Sequence, residues 1–184
     1  MATDEGEIGR LQSIYERGQA NGLSGLKLLE ASEVKAYEPN CRAVKALVVP
    51  ETGIVDYVQV AEKMAELLKR RSVEIMTSAG VRAIRRSGQG LTLETARGAV
   101  ESRFLVNCAG LYSDQVARLM GIRPEVRIIP FRGEYYMLRP ERRTLVKNLI
   151  YPVPDPEFPF LGVHFTRTVH GDVEAGPNAV LAFA

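Results

Sequence analysis

Cysteine is scarce in this sequence. Cys41 and Cys108 are the only two in 184 residues, too few for a disulfide framework, and a reducing compartment such as the cytoplasm is expected. No apolar run approaches the roughly 20 residues needed to cross a bilayer, and no secretory signal opens the chain, so no transmembrane segment is expected. An excess of one charge is missing as well. Twenty-four Lys plus Arg against 22 Asp plus Glu leave a net charge of +2, which gives no long-range field suited to nucleic acid or an anionic membrane. A small-molecule or protein partner is expected instead. No His/Cys/carboxylate cluster has metal-ligand spacing, so no metal site is expected. Internal repeats and low-complexity tracts are absent.

What is present begins with helical spacing. In "EIGRLQSIYERGQANG", Ile8, Leu11, Ile14 and Tyr15 recur on one helical face, and Asn21-Gly22 supplies a left-handed stop. "LKLLEASEVKAYEP" reads as an extended stretch and then a helix capped by Ser32 and halted ahead of Pro39. "KALVVP" reads as a strand. In the helix that follows, Asp56 and Gln59 resemble a capping box, while Tyr57, Val60, Ala61, Met64 and Leu68 line one face. "VEIMTS", "VRAIRR", "LTLET" and "VESRFLVNCAG" are strand-like runs broken by Gly- and Ser-rich turns, and "LYSDQVARLMG" is a further helix with Ser113 as cap and Gly121 as stop. From about residue 125 the pattern changes to strands alone, an antiparallel sheet.

The expected fold is therefore α/β plus antiparallel β. Residues 51–124 are laid out like the second half of a nucleotide-binding, Rossmann-like domain, and 1–50 with 125–184 form a second domain. Phe104, Leu105 and Val106 read as a buried strand. Open α/β sheets bind ligands at the carboxyl ends of their strands, where Cys108, Ala109 and Gly110 fall. Ala109-Gly110 equally suits plain close packing of strand on helix, and Cys108 inert packing at a buried strand end.

The segments "YERGQANG", "PETGIVDY", "NCAGLYSDQVA", "PFRGEYYMLRP", "IYPVPDPEFPFLGVHFTR" and "GPNAVLAF" occur in this order over nearly the whole chain. Together they resemble the middle section of the L-2-hydroxyglutarate oxidase (dehydrogenase) family, FAD-dependent enzymes of the D-amino-acid-oxidase-like group. The resemblance implies a partial FAD-binding domain, a partial substrate domain with a mixed β-sheet, and oxidation of a small dicarboxylic 2-hydroxy acid, L-2-hydroxyglutarate, to 2-oxoglutarate. One feature departs from the family pattern. The G-x-G-x-x-G turn that holds the FAD pyrophosphate is not found; Gly88-x-Gly90 opens no helix and reads as a hairpin turn. The chain is thus expected to be a fragment that binds FAD weakly or not at all and is inactive alone, with self-association through exposed surface a further expectation. A fragment of another FAD-dependent 2-hydroxy-acid or amine oxidase, and a noncatalytic binding module, are the alternatives.

The implied reaction needs a base, a hydride acceptor and cations for two carboxylates. With "FLGVHFTRT" as a strand, His164 shares a face with Phe160, Gly162 and Thr166, leaving room beside an imidazole that could act as the base. A structural histidine bonded to backbone at a sheet end is the competing reading, and His170 reads as solvated. Arg132, Tyr135 and Arg167 are the substrate-binding candidates, although Arg132 and Glu134 fall on one face and suit a mutual ion pair equally well. The resemblance also assigns Val81, through its backbone, to the adenine, and Cys108, Ala109 and Gly110 to the ribose and pyrophosphate.

The stretch "YPVPDPEFP" carries Pro152, Pro154, Pro156 and Pro159. Proline fixes φ and donates no N–H, so this is a stiff extended connection that delivers the next strand, with His164, at a set angle. Replacing Pro154 and Pro156 by Ala in the complete enzyme is expected to raise KM several-fold while lowering Tm little. Parallel losses in steady-state KM and in thermal melting would contradict the bracing role.

Overall fold

The computed structural model describes residues 1–158 and 160–182; Pro159 of the proline run lies outside them. The described residues divide into two compact units, Met1–Tyr57 with Phe131–Val180, and Val58–Pro130 with 181–182.

In the first unit, α1 (Ile8–Ala20) forms on the expected apolar spacing, and Gly22 just beyond it takes φ 80°. Strand β1 (Lys27–Glu30) leads into α2 (Ala31–Tyr37). The cap of α2 is Glu30, not Ser32: the Glu30 side chain accepts from the backbone of the first turn while Glu33 accepts from the Glu30 N–H, a reciprocal arrangement that satisfies two otherwise orphaned donors. The helix stops before Pro39, as the restriction on pre-proline residues requires. β1 pairs antiparallel with β2 (Lys45–Val48), and Ala2 adds a bridge to Lys45. Small cores hold these pieces: Ala2, Leu11 and Val153 in one, Leu29, Val34 and Ala46 in another, Val146, Ile150 and Val173 in a third.

The same unit carries a three-stranded sheet in the order β6–β8–β7, built from β6 (Phe131–Met137), β7 (His164–Arg167) and β8 (Val173–Leu181). His164 opposes Gly176 across the antiparallel β7–β8 pair. β7 begins at His164, so Phe160 and Gly162 do not share its strand. The reason is the prolines upstream: Gly162 lies against Pro152, where a Cβ would stand 2.9 Å from the Pro152 Cγ, and the chain there follows the proline segment instead of a neighbouring strand. Ile150, from that segment, makes an isolated bridge to the other side of β7, exchanging hydrogen bonds of 2.9 Å with Phe165 in both directions.

The second unit contains α3 (Tyr57–Arg70, whose first residue belongs to the other unit), the antiparallel meander β3 (Val81–Ser87), β4 (Gly90–Thr95) and β5 (Gly98–Ser102), and α4 (Ser113–Leu119). Gly88-x-Gly90 is the hairpin turn of that meander. Two expected strands are not formed. Val73–Met76 and Phe104–Val106 take no strand pairing, Thr77–Ser78 form a turn with Ser78 at φ 56°, and Phe104 and Val106 are 84% and 81% exposed. A strand exists only with a partner to take its N–H and C=O groups, and among the described residues none pairs with either segment. Cys108, expected at a buried strand end, is consequently exposed. Ser113 also makes no side-chain cap; Asn107 organises this turn instead, accepting from the Ala109 N–H at 3.2 Å and donating Nδ2 to the Ser113 carbonyl at 2.8 Å.

Burial, reinforced by the nearby Glu38 carboxylate, pushes the Cys41 thiol above its ordinary range. Iodoacetamide at neutral pH is expected to alkylate exposed Cys108 faster than Cys41 by about an order of magnitude, as peptide mass spectrometry would read. Equal rates would contradict the placement of both thiols.

Candidate active site

His164 is 7% exposed, and what surrounds it follows from the sheet. Its ring is stacked on Tyr151, with centroids 4.7 Å apart and planes 23° from parallel, and Tyr135 of β6 meets it edge-on at 6.4 Å. Nδ1 lies 2.9 Å from the Gly162 carbonyl. A carbonyl only accepts, so Nδ1 carries the proton in this contact and the neutral ring keeps its lone pair on Nε2. The bond to backbone is the one a structural histidine would make. It is also the one that orients a general base.

Tyr135 reaches the imidazole because β8, the strand between them, has Gly176 at the crossing. A Cβ there would stand 2.7 Å from the Glu134 carbonyl oxygen and 2.8 Å from the Tyr135 ring. The other expected substrate groups are placed as follows. Arg132 donates to Glu134 at 2.6 Å, and both side chains are largely exposed, the mutual pair foreseen from their common face; such pairs contribute little to stability. Arg167 donates Nη1 to the Val146 carbonyl at 2.6 Å. Tyr136 points into solvent, 77% exposed, and His170 sits in the turn after β7. Tyr151 was not among the expected residues: its only sequence signal is its place directly before the proline run.

A second feature of this unit is a cavity of about 530 Å³ lined mainly by apolar side chains, among them Leu11, Ile14, Leu29, Val34, Pro152 and Leu161, with Glu38, Thr52 and Asn148 as polar exceptions. His164 does not line it. Its lining holds no Arg or Lys, so it does not suit a dianion.

The positions assigned to the cofactor all lie in the other unit. Val81 opens β3, opposite Thr95, and β3 is an edge of its sheet. Cys108, Ala109 and Gly110 form the turn that leads into α4. Gly110 takes φ 55°, and a Cβ on it would meet no atom within 4 Å. An open strand edge and an exposed left-handed turn fit a group held through backbone. Among the described residues no group of three or more His, Cys, Asp or Glu is gathered for a metal ion.

The family profile described as "FAD dependent oxidoreductase" (DAO) matches residues 1–183. Curated relatives include the L-2-hydroxyglutarate dehydrogenase of Indibacter alkaliphilus, 50% identical over 184 residues, and the mitochondrial L-2-hydroxyglutarate dehydrogenases of Bos taurus and Homo sapiens, 45% and 44% identical over 195 residues. All of this chain is covered in each case, against 46%, 42% and 42% of the relatives, so the chain spans under half their length. Similar solved structures include an L-proline dehydrogenase from P. horikoshii (TM-score 0.82, 16% identity) and an L-alpha-glycerophosphate oxidase from Mycoplasma pneumoniae with FAD bound (0.81, 21%). This chain is covered completely and each of those chains to 49%; at these identities the likeness is one of fold.

Replacing Gly176 by Ala is expected to cost about 1–3 kcal/mol, the usual range for forcing a methyl into packed surroundings, and to move the imidazole proton resonances of His164 as Tyr135 is displaced. Urea unfolding and NMR of the chain check both. An unperturbed His164 signal would contradict the crossing described here.

Proposed function

Because the chain belongs to the FAD dependent oxidoreductase family, we propose that it is a section of a flavoprotein that oxidises L-2-hydroxyglutarate to 2-oxoglutarate, with His164 as the base. Identity of 44–50% over all of this chain, and under half of each relative, to curated proteins named for that activity supports the substrate. One observation carries the role of His164: a buried imidazole whose Nδ1 lies 2.9 Å from the Gly162 carbonyl, a contact that in the neutral ring puts the lone pair on Nε2.

In this reading Nε2 accepts the proton of the substrate C2 hydroxyl as the carbon–oxygen bond becomes a carbonyl. FAD, when bound, supplies the acceptor for the hydride that leaves C2. Val81 and the turn Cys108–Ala109–Gly110 would hold it through backbone, and a side chain at Gly110 would occupy that space. Tyr151 and Tyr135 fix the imidazole plane and keep water from it. Arg132 is the cation best suited to a substrate carboxylate, since it is exposed and would exchange one carboxylate partner, Glu134, for another. Arg167, which already spends a donor on Val146, suits holding the chain instead.

The two free thiols favour a reducing compartment such as the cytoplasm, while relatives in animals carry a mitochondrial designation. No helix among the described residues is long and apolar enough to cross a membrane. The unpaired, exposed segments at Val73–Ile75 and Phe104–Val106 suit strand pairing with the remaining length of a longer protein, or self-association of this chain. A second reading, oxidation of an amine, draws on the likeness to L-proline dehydrogenase and to a glycine oxidase from Geobacillus kaustophilus, which at 16% and 19% identity speaks for fold alone.

In the complete enzyme, His164→Asn is expected to lower kcat with L-2-hydroxyglutarate by about 10²–10⁴-fold, the range for loss of a general base, with flavin content unchanged. Anaerobic flavin bleaching by a panel of 2-hydroxy acids and amines measures this and separates the two readings. Near-normal turnover in the variant would overturn the assignment, and bleaching by amines alone would overturn the substrate.

A further inference from the structure

We propose that Glu38, far from His164 in sequence and not in contact with it, is a positioning residue that sets the imidazole by clamping the segment Val146–Tyr151. The inference rests on the reading of His164 as the base.

Glu38 is 4% exposed. Its carboxylate accepts the Lys147 N–H, shared between its oxygens at 3.0 and 3.1 Å, the Asn148 N–H, and Asn148 Nδ2 at 2.7 Å. No Lys, Arg or His forms an ion pair with it among the described residues. A buried carboxylate held by backbone donors is an expensive way to fasten a loop unless the loop's position matters. The neighbours of Glu38 fasten the same segment: Asn40 donates Nδ2 to the Leu145 carbonyl at 3.0 Å, and the Tyr37 carbonyl accepts from Asn148.

The clamped segment leads directly to the imidazole. Two residues beyond Asn148, Ile150 bridges Phe165, the neighbour of His164 in β7, and Tyr151 stacks on the His164 ring. Arg167, three residues further along β7, closes the loop of contacts by holding the Val146 carbonyl. The segment is thus fixed by Glu38 at its start and, at its end, by β7 and by the Met1 amino group, which donates to the Tyr151 carbonyl at 2.6 Å. Any slip of Lys147 and Asn148 is delivered to Tyr151. Among the described residues, the titratable side chains in ring contact with His164 are Tyr135 and Tyr151, so a slip of Tyr151 changes what the imidazole faces.

Two measurements test the proposal. In the 184-residue chain, Glu38→Gln is expected to shift the His164 imidazole resonances and their pH titration, with His170 as the internal reference; the sequence has two histidines. In the complete flavoprotein, the same variant is expected to lower kcat about tenfold and displace the base limb of the pH profile, with KM and flavin content within about twofold of normal; Glu38→Asp restores part of the loss. Lower Tm with His164 resonances and pH profile at their normal positions would show Glu38 to be structural only and would overturn the proposal. Should Glu38→Gln not fold, Asn148→Ala removes one donor, leaves the charge held by two backbone N–H groups, and is judged by the same two outcomes. If His164→Asn keeps full activity, the assignment of the base fails; a His164 resonance that still moves in Glu38→Gln would nonetheless uphold the mechanical link.

Discussion

The buried carboxylate of Glu38 is the constraint on which the first unit depends. Removing a carboxylate from water without compensation costs many kcal/mol, and charge-assisted hydrogen bonds return about 1.5–3 kcal/mol each. Three donors from two adjacent residues provide that compensation here, and they come from a segment more than 100 positions away. The end of α2 and the lead-in to β7 are therefore one structural object. The apolar clusters around it are small, with Val34 on one side and Val146 and Ile150 on the other, and Cys41 packs against both. A polar anchor gives such thin cores a unique register, because apolar contacts alone tolerate sliding.

The second unit shows the opposite condition. Its meander pairs internally, β4 joining β3 and β5 while their outer edges stay open, and Ile84 and Leu93 are its buried apolar side chains among the described residues. The rest of its apolar surface is open. α3 has a strongly one-sided apolar pattern yet buries no residue, with Met64, Leu67 and Leu68 all exposed. Phe104 and Val106 lie on the same extended segment and are exposed together. Exposed apolar surface of this extent is unusual for a chain that buries its own core, and both an amphipathic helix and an apolar run without a strand partner are elements that a layered α/β fold would cover.

Much of this was legible in the sequence because it is local. The stop of α1 at Asn21-Gly22, the stop of α2 before Pro39, the hairpin at Gly88 and the helix after Gly110 each depend on residues within a few positions. The sequence pattern also marked Val73–Ile75 and Phe104–Val106 as strand-like, but pairing is not a local property, and neither segment forms a strand where no partner meets it. The His164 site divides in the same way. Its histidine, Tyr135 and the Arg132–Glu134 pair stand out by residue type and face. Tyr151, Gly176 and Glu38 do not, since their roles come from what the fold brings beside them: a ring, a crossing and two backbone N–H groups.

The proline run can now be placed in that chain of causes. Pro152 packs against Gly162, and the Gly162 carbonyl holds His164 Nδ1. Tyr151, the residue before Pro152, stacks on the same ring. The stiff segment therefore touches the imidazole by two routes, through its first aromatic and through the glycine it abuts. A flexible segment would lose ordering entropy at both contacts, about 1–2 kcal/mol for each backbone residue fixed; prolines lower that loss because their φ is already set. Rigidity here follows from the need to hold one side chain from two directions at once, and that need explains why the stiffness is concentrated before β7 and not within it.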